Sequence, residues 1–133
     1  MGVSQLTAGH AGSDFVIGVQ SDLDSLRFLL PGWDGYGAPA VDSSVIEAAK
    51  SFIAALPADV APRPRVVPMS NATLQLEWHR GPKSLELEFE SPTSIRYLKW
   101  FPEEGIEQEA SIPAARIDVL AGLLLWFVNG IPE

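Results

Sequence analysis

Glu77 and His79 are the two residues of the chain best suited to acid–base chemistry. They stand two positions apart in a segment where apolar and polar residues alternate, so a β-strand would place both side chains on one face. A carboxylate beside an imidazole can accept and return a proton. With Asp34 they would also offer the oxygen and nitrogen ligands that bind divalent cations. A small hydrolase or a metal-binding protein that uses Asp34, Glu77 and His79 is therefore one interpretation.

The motifs of familiar catalytic and metal sites are missing from the sequence. The chain contains no cysteine, no His-Glu-x-x-His and no Gly-x-Ser-x-Gly. The glycines of residues 32–37 are not followed by the lysine of a phosphate-binding loop. The alternation around Glu77 and His79 also predicts an ordinary solvated face of a sheet. We therefore predict a protein without catalytic residues, metal or cofactor.

Residues 32–39, Gly-Trp-Asp-Gly-Tyr-Gly-Ala-Pro, are the most distinctive segment of the chain. Gly35 allows a positive φ, and Asp34 can accept hydrogen bonds from backbone N–H groups two residues further on, so the segment predicts a tight loop. Trp33 and Tyr36 would either pack over this loop or project from it. Because Trp and Tyr are favoured anchors of interfaces, the sequence leaves two alternatives open: a structural turn and a contact surface.

A first helix is predicted before this loop. Ser21 or Asp22 can cap it, and Pro31 with Gly32 ends it. The apolar run Phe15 to Val19 is either a strand or the lead-in to this helix. Leucines then recur at helical spacing, at Leu23, Leu26, Leu29 and Leu30.

A second helix is predicted after the loop. Asp42, Ser43 or Ser44 can cap it, and Ser44 with Glu47 fits a capping box. The segment from Pro57 to Pro68 holds four prolines and is predicted to be an extended connector. Val45, Ala48, Ala49, Phe52, Ile53 and Leu56 form the apolar face of this helix.

Strands are predicted in the second half of the chain. Thr73–Arg80 and Lys83–Glu90 both alternate and are separated by Gly81-Pro82, which indicates an antiparallel hairpin. Ser94–Phe101 is a third strand and Ile106–Ala110 a weaker fourth. A final helix, apolar on nearly every side, is predicted from Pro113 to Val128 with the proline in its first turn.

These elements predict one α+β domain over residues 14–133, after a flexible N-terminus of residues 1–13. It consists of two N-terminal helices, an antiparallel meander of three to five strands, and a C-terminal helix packed on one sheet face. The other face would carry the glutamates. On the third strand, Leu98 and Trp100 share the face opposite Tyr97 and Phe101. Either the helices cover part of both faces, or Leu98 and Trp100 form an exposed patch.

Charge restricts the partners of the protein. The chain of 133 residues has 9 basic and 17 acidic side chains, a net charge of −8, which repels nucleic acid directly and attracts basic proteins. The apolar run Val119 to Val128 is too short to span a membrane. We expect a cytoplasmic protein, in a bacterium or in the host cell of a phage. Eight acidic residues that could imitate a row of phosphates are Glu77, Glu86, Glu88, Glu90, Glu103, Glu104, Glu107 and Glu109.

The chain resembles a family of small uncharacterised bacterial proteins. That family has a Trp-Asp-Gly-Tyr-Gly-Ala signature, matched by residues 33–38, then a helix, a proline-rich passage and a Leu-Glu-Trp strand, matched by Leu76-Glu77-Trp78. The similarity covers about residues 30–100, and Ser70-Asn71-Ala72 departs from the family's turn before that strand. The resemblance implies a bacterial or phage setting and no particular activity.

The sequence favours a small, acidic, non-enzymatic protein-binding module. We expect an inhibitor of the antitoxin, phage anti-defence or anti-CRISPR kind that imitates nucleic-acid charge and binds a protein with a basic surface. A structural homodimer is the remaining alternative, joined through Leu123, Trp126 and Phe127 of the final helix. The residues expected to contact the partner are Trp33, Asp34, Tyr36, Glu86, Glu88, Glu90 and Trp100.

Overall fold

The computed structural model describes residues 15–56 and 62–129. Residues 1–13, predicted to be flexible, and residue 57, predicted to end the second helix, lie outside these ranges. The described chain is α+β, with a five-stranded antiparallel sheet and a C-terminal helix, as predicted. The helices are α1 (residues 15–25), α2 (Ser43–Ala55) and α3 (Ile117–Val128); the strands are β1 (Arg65–Pro68), β2 (Leu74–Arg80), β3 (Lys83–Ser91), β4 (Ser94–Phe101) and β5 (Ile106–Pro113).

The two N-terminal helices differ in detail from their predictions. Residues 15–19 are helical, which settles the alternative between a strand and a helix, and a short 3-10 turn, Leu26–Phe28, follows α1. Asp42 caps α2, and its side chain accepts a hydrogen bond from the Ser44 amide at 2.9 Å. The capping box is not formed, because Ser44 is already inside the helix and Glu47 pairs with Arg27.

The strands form a meander in which each pairs with the next along the chain, in the order β1-β2-β3-β4-β5. β1 lies in the segment predicted to be only a connector. Val66 and Val67 favour an extended strand, and they pair with Leu76 and Gln75 of β2. Pro68 is accommodated because β1 is an edge strand, where a missing backbone N–H costs little.

The boundary between β5 and α3 also corrects the prediction. Pro113 pairs with Ser94 as the last residue of β5 and is not in the first turn of the helix. α3 begins four residues later, at Ile117, with Arg116 at the N-cap. Proline is tolerated at both a helix start and an edge strand, so its presence alone does not distinguish the two.

The hydrophobic core lies on one face of the sheet. Alternate residues of β2 and β3 are buried there, in one cluster with apolar residues of all three helices. The rings of Phe52 from α2 and Phe89 from β3 lie 5.8 Å apart, in the tilted arrangement that aromatic pairs prefer. The buried strand residues at the centre are Leu74, Leu76, Trp78, Leu85, Leu87, Phe89 and Ile95.

Lys83, the first residue of β3, is only 4% exposed although it carries a charge. Its Nζ donates hydrogen bonds to the backbone oxygens of Trp126 at 2.5 Å and Asn129 at 2.7 Å, at the C-terminal end of α3. The unpaired carbonyls and the negative end of the helix dipole both favour a cation there. Burial lowers the pKa of Lys83. One side chain thus holds the end of α3 against the start of β3.

Candidate functional site

The face of the sheet opposite the helices, called the open face below, carries the glutamates of β2, β3 and β5. Cross-strand register places Ser84, Trp100 and Glu107 in one row and Glu86, Leu98 and Glu109 in the next. Side chains that are directly opposite on neighbouring strands lie about 5 Å apart. On the open face Leu98 therefore lies between the carboxylates of Glu86 and Glu109, and Trp100 lies between Ser84 and Glu107.

Trp100 is 42% exposed, and Leu98 beside it is half-buried. Leu98 and Trp100 therefore form an apolar patch on the open face, which was one of the two alternatives predicted for them. A shallow cavity of about 500 Å³ runs along the patch, lined by His79, Gly81, Ser84, Glu86, Leu98, Trp100 and Glu107. An apolar centre with a charged rim is the usual composition of a protein interface.

The predicted contact glutamates differ in their surroundings. Glu88 accepts a hydrogen bond from Thr73 Oγ1 at 3.2 Å. Glu90 accepts from the hydroxyls of Ser94 at 3.2 Å and Ser111 at 2.9 Å, beside an irregularity in the β3–β4 pairing. Hydroxyl contacts thus hold both carboxylates, and Arg96 stands opposite Glu88 in the β3–β4 register.

Glu86 is the most perturbed of these carboxylates. Burial raises its pKa above the ordinary value of 4.5, and the neighbouring charge of Glu77 raises it further, whereas His79 lowers it. Glu77 stands directly opposite Glu86 in the register. Like charges on opposed strand positions destabilise a sheet. The ionised form of Glu86 is therefore held on the open face at a cost in stability.

Replacing Glu86 with Gln should increase the free energy of unfolding at neutral pH. Because the folded-state pKa of Glu86 is raised, the cost of its charge is present above that pKa and disappears as the pH falls towards 4.5. The difference in the free energy of unfolding between Glu86→Gln and the wild type should therefore shrink as the pH falls over this range. Urea denaturation from pH 7 to pH 4 measures it, with the exposed Glu107→Gln as control. An equal increase in the free energy of unfolding for Glu86→Gln and Glu107→Gln would contradict a specific cost of the Glu86 charge.

The loop of residues 32–39 is held by two of its predicted contact residues. Asp34 Oδ1 accepts hydrogen bonds from the amides of Tyr36 at 2.8 Å and Ala38 at 3.0 Å, which lower the pKa of Asp34. Trp33 Nε1 donates to the Pro39 oxygen at 2.9 Å. The Tyr36 side chain takes no part in these bonds, and the residue is 93% exposed. Trp33 and Asp34 shape the loop, and Tyr36 projects from it.

Two further apolar residues near the loop are exposed, and the sequence did not single them out. Phe28 and Leu30 both project into solvent. Leu30 was predicted to follow the helical spacing of Leu23 and Leu26, but the chain leaves the helix through the 3-10 turn, so that spacing no longer applies. The helix was predicted to end at Pro31 and Gly32, but α1 ends earlier, at residue 25.

The acid–base pair predicted from the sequence is present, with an unforeseen third member. His79 Nδ1 lies 2.9 Å from Ser84 Oγ, and His79 Nε2 lies 3.4 Å from Glu77 Oε1. Asp34 is not part of this group, because its carboxylate bonds the amides of its own loop.

A hydroxyl, an imidazole and a carboxylate in line can activate the hydroxyl as a nucleophile. Such chemistry also needs free N–H donors for the developing oxyanion. β2 and β3 each pair with a strand on both sides, so their N–H groups are used within the sheet. Among the residues that the structure describes, no three His, Asp or Glu side chains are grouped to hold a metal ion.

The residues predicted to join two copies through α3 are used within the protein. Leu123 and Phe127 are buried in the core. The Trp126 ring lies 4.5 Å from Lys83 Nζ and 4.7 Å from Lys99 Nζ, within the range of cation–π contact. Leu125, 48% exposed, is the apolar side chain that α3 presents to solvent. In the described part of the chain no helix combines the length and the apolarity needed to cross a bilayer.

No protein-family model, no curated protein and no solved structure matches the chain significantly. The resemblance through residues 33–38 and Leu76-Glu77-Trp78 therefore stays a prediction, and the functional argument depends on the geometry of the open face and of the loop.

Proposed function

We propose that the protein is a non-enzymatic binding module that inhibits a basic partner protein by covering its surface. The observation that carries this proposal is Trp100, exposed on the open face with the Glu107 carboxylate beside it. Trp is the residue type most enriched at the energetic centres of interfaces, where a partly exposed ring becomes fully buried on binding. The shallow cavity beside it would receive a side chain of the partner.

Charge selects the partner. Glu86, Glu107 and Glu109 surround the patch, and Arg96, which lies 2.7 Å from Glu109, is the arginine on this side of β4. A face with this excess of carboxylates attracts lysine and arginine and repels phosphate. A protein whose basic surface ordinarily binds nucleic acid is the partner that fits, with the carboxylates in the place of phosphates.

The loop supplies a second contact. Tyr36 stands on a loop whose shape is fixed by the Asp34 and Trp33 hydrogen bonds, so little conformational entropy is lost when it is bound. Phe28 and Leu30 extend the apolar surface that the same segment exposes. We place the inhibitor in the cytoplasm of a bacterium or of a phage-infected cell.

Capture experiments test the proposal. The purified protein, used as bait in a lysate of its native host, should retain one basic protein in equimolar amount, and added salt should release it. Trp100→Glu should weaken the affinity for that protein at least 30-fold, the size expected for about 2 kcal/mol at a central Trp. Adding the wild-type protein should block nucleic-acid binding by the captured partner.

Leu125→Ala is the matched control, because Leu125 is an apolar residue of similar exposure on α3. It should bind as tightly as the wild type. Three results would overturn the proposal: an acidic partner, equal binding by Trp100→Glu, or a partner whose nucleic-acid binding is unaffected. Circular dichroism of each variant shows that any loss is not due to unfolding.

A further inference from the structure

The two edges of the sheet are unequal. β1 has four residues and ends in proline, and short strands with proline are a common protection of an edge against further pairing. β5 has eight residues, and those from 107 to 111 are all exposed. Within the described residues β5 pairs with β4 alone. β5 is therefore the edge at which another strand can be added.

The direction of the free backbone groups follows from the register. The Ala114 amide donates to the Thr93 oxygen at 2.9 Å, so the N–H of residue 114 points towards β4. In an antiparallel pair this direction alternates from residue to residue. The N–H and C=O groups of Glu107, Glu109 and Ser111 consequently point away from β4, and these three residues also carry their side chains on the open face.

We infer that β5 binds the partner by adding an extended, basic segment of it as a sixth strand. On the open face, side chains of the added strand would lie opposite Glu107 and Glu109, which favours lysine or arginine at alternate positions. On the other face they would meet Ile106, Gln108, Ala110 and Ile112, three of them apolar, which favours apolar residues between the basic ones. The added strand thus alternates basic and apolar residues.

Charge also disfavours a second copy of this chain as the occupant, since each copy carries a net charge of −8. An antiparallel β5–β5 pair centred on residue 108 sets Glu107 against Glu109, and one centred on residue 109 sets Glu109 against itself. Like charges in such positions are destabilising, and charged residues on an edge are a known protection against self-association. Of the two glutamates of β5, Glu109 already pairs with Arg96, whereas Glu107 forms no ion pair with the described residues.

This inference depends on the proposed function, and a peptide separates the two. The probe is a synthetic peptide of alternating lysine and valine, as long as β5, and its control has the same composition arranged as Lys-Lys-Val-Val repeats. Amide hydrogen exchange is followed by NMR. The alternating peptide should slow exchange at Glu107, Glu109 and Ser111 about tenfold, and the control peptide should not.

Glu107→Pro and Glu107→Gln form a matched pair, because both remove the carboxylate and only the proline removes the outward N–H. Glu107→Pro should bind the alternating peptide about fivefold more weakly than Glu107→Gln, as expected for one lost hydrogen bond. Unchanged protection of the Gln108 and Ala110 amides would show that β5 remains paired with β4 in the proline variant.

The outcomes are distinct. No added protection at the three amides, or equal binding by the two variants, would overturn the inference, even if both peptides bind the open face through charge. That result would leave the proposed function intact. Protection of the amides, together with undiminished capture of the partner by Trp100→Glu, would support strand addition and overturn the role of the open face.

Discussion

Replacing Trp78 with alanine should lower the free energy of unfolding by about 4 kcal/mol, the usual cost of truncating a large buried aromatic. Trp78 is 2% exposed and is the largest fully buried side chain. It stands opposite Leu85 in the hairpin. Its indole bonds the Pro62 oxygen in the segment that precedes β1. Urea denaturation followed by circular dichroism measures the loss.

Trp78→Phe separates the two contributions of this residue. The indole Nε1 donates to the Pro62 oxygen at 2.6 Å, and phenylalanine keeps much of the buried area while losing that donor. We expect a loss of about 2 kcal/mol, part from the unpaired oxygen and part from the smaller ring. A loss in Trp78→Ala below that of Trp78→Phe would contradict this account of the site.

Replacing Lys83 with Met should lower the free energy of unfolding by about 3 kcal/mol. Methionine keeps the apolar stem of the lysine but leaves the Trp126 and Asn129 oxygens without their donor, and hydrogen bonds to charged groups are worth about 1.5–3 kcal/mol. The loss of a cation from the end of α3 adds to this. The same denaturation measurement applies.

Lys99→Met is the control for Lys83→Met. Lys99 also approaches the Trp126 ring, with Nζ at 4.7 Å, but its pairing partner in the sheet is Leu85 and it is less buried than Lys83. We expect a loss of less than about 1 kcal/mol, the value of a cation–π contact at an exposed site. Equal losses in the two variants would show that the ring contact, and not the capping of α3, makes Lys83 important.

Alternation predicted the β2–β3 hairpin well because these two strands are buried on one side only. Leu76 and Leu87 lie on the helix-covered face and Glu86 and Glu88 on the other, as their positions in the sequence required. The cap at Asp42 was also predictable, since it depends on a local hydrogen bond to Ser44. Local patterns of this kind do not depend on the rest of the fold.

What the sequence could not supply are features that need distant partners. The edge strand β1 was missed because prolines around Val66 and Val67 concealed a strand that only pairing with β2 reveals. A lysine at the start of a strand gives no sign that it will be buried against the end of a helix, as Lys83 is. Ser84 joins His79 only through the register across the hairpin.

The candidate site was predictable in composition and not in the roles of its members. Tryptophan, aspartate and tyrosine in one glycine-rich loop indicated either a turn or a contact surface. The structure divides these roles by side-chain hydrogen bonding, since the side chains of Trp33 and Asp34 bond within the loop and that of Tyr36 projects from it. No residue type or spacing distinguishes a side chain that folds back from one that projects.

The meander has a consequence for the speed of folding. Every strand pairs with its neighbour along the chain, so each pairing closes only a short loop, and short loops cost little chain entropy. Chains rich in such local contacts reach the native state faster than those that must join distant segments. The slower encounters are those that link the two ends of the sequence through the helices, such as Lys83 with the end of α3.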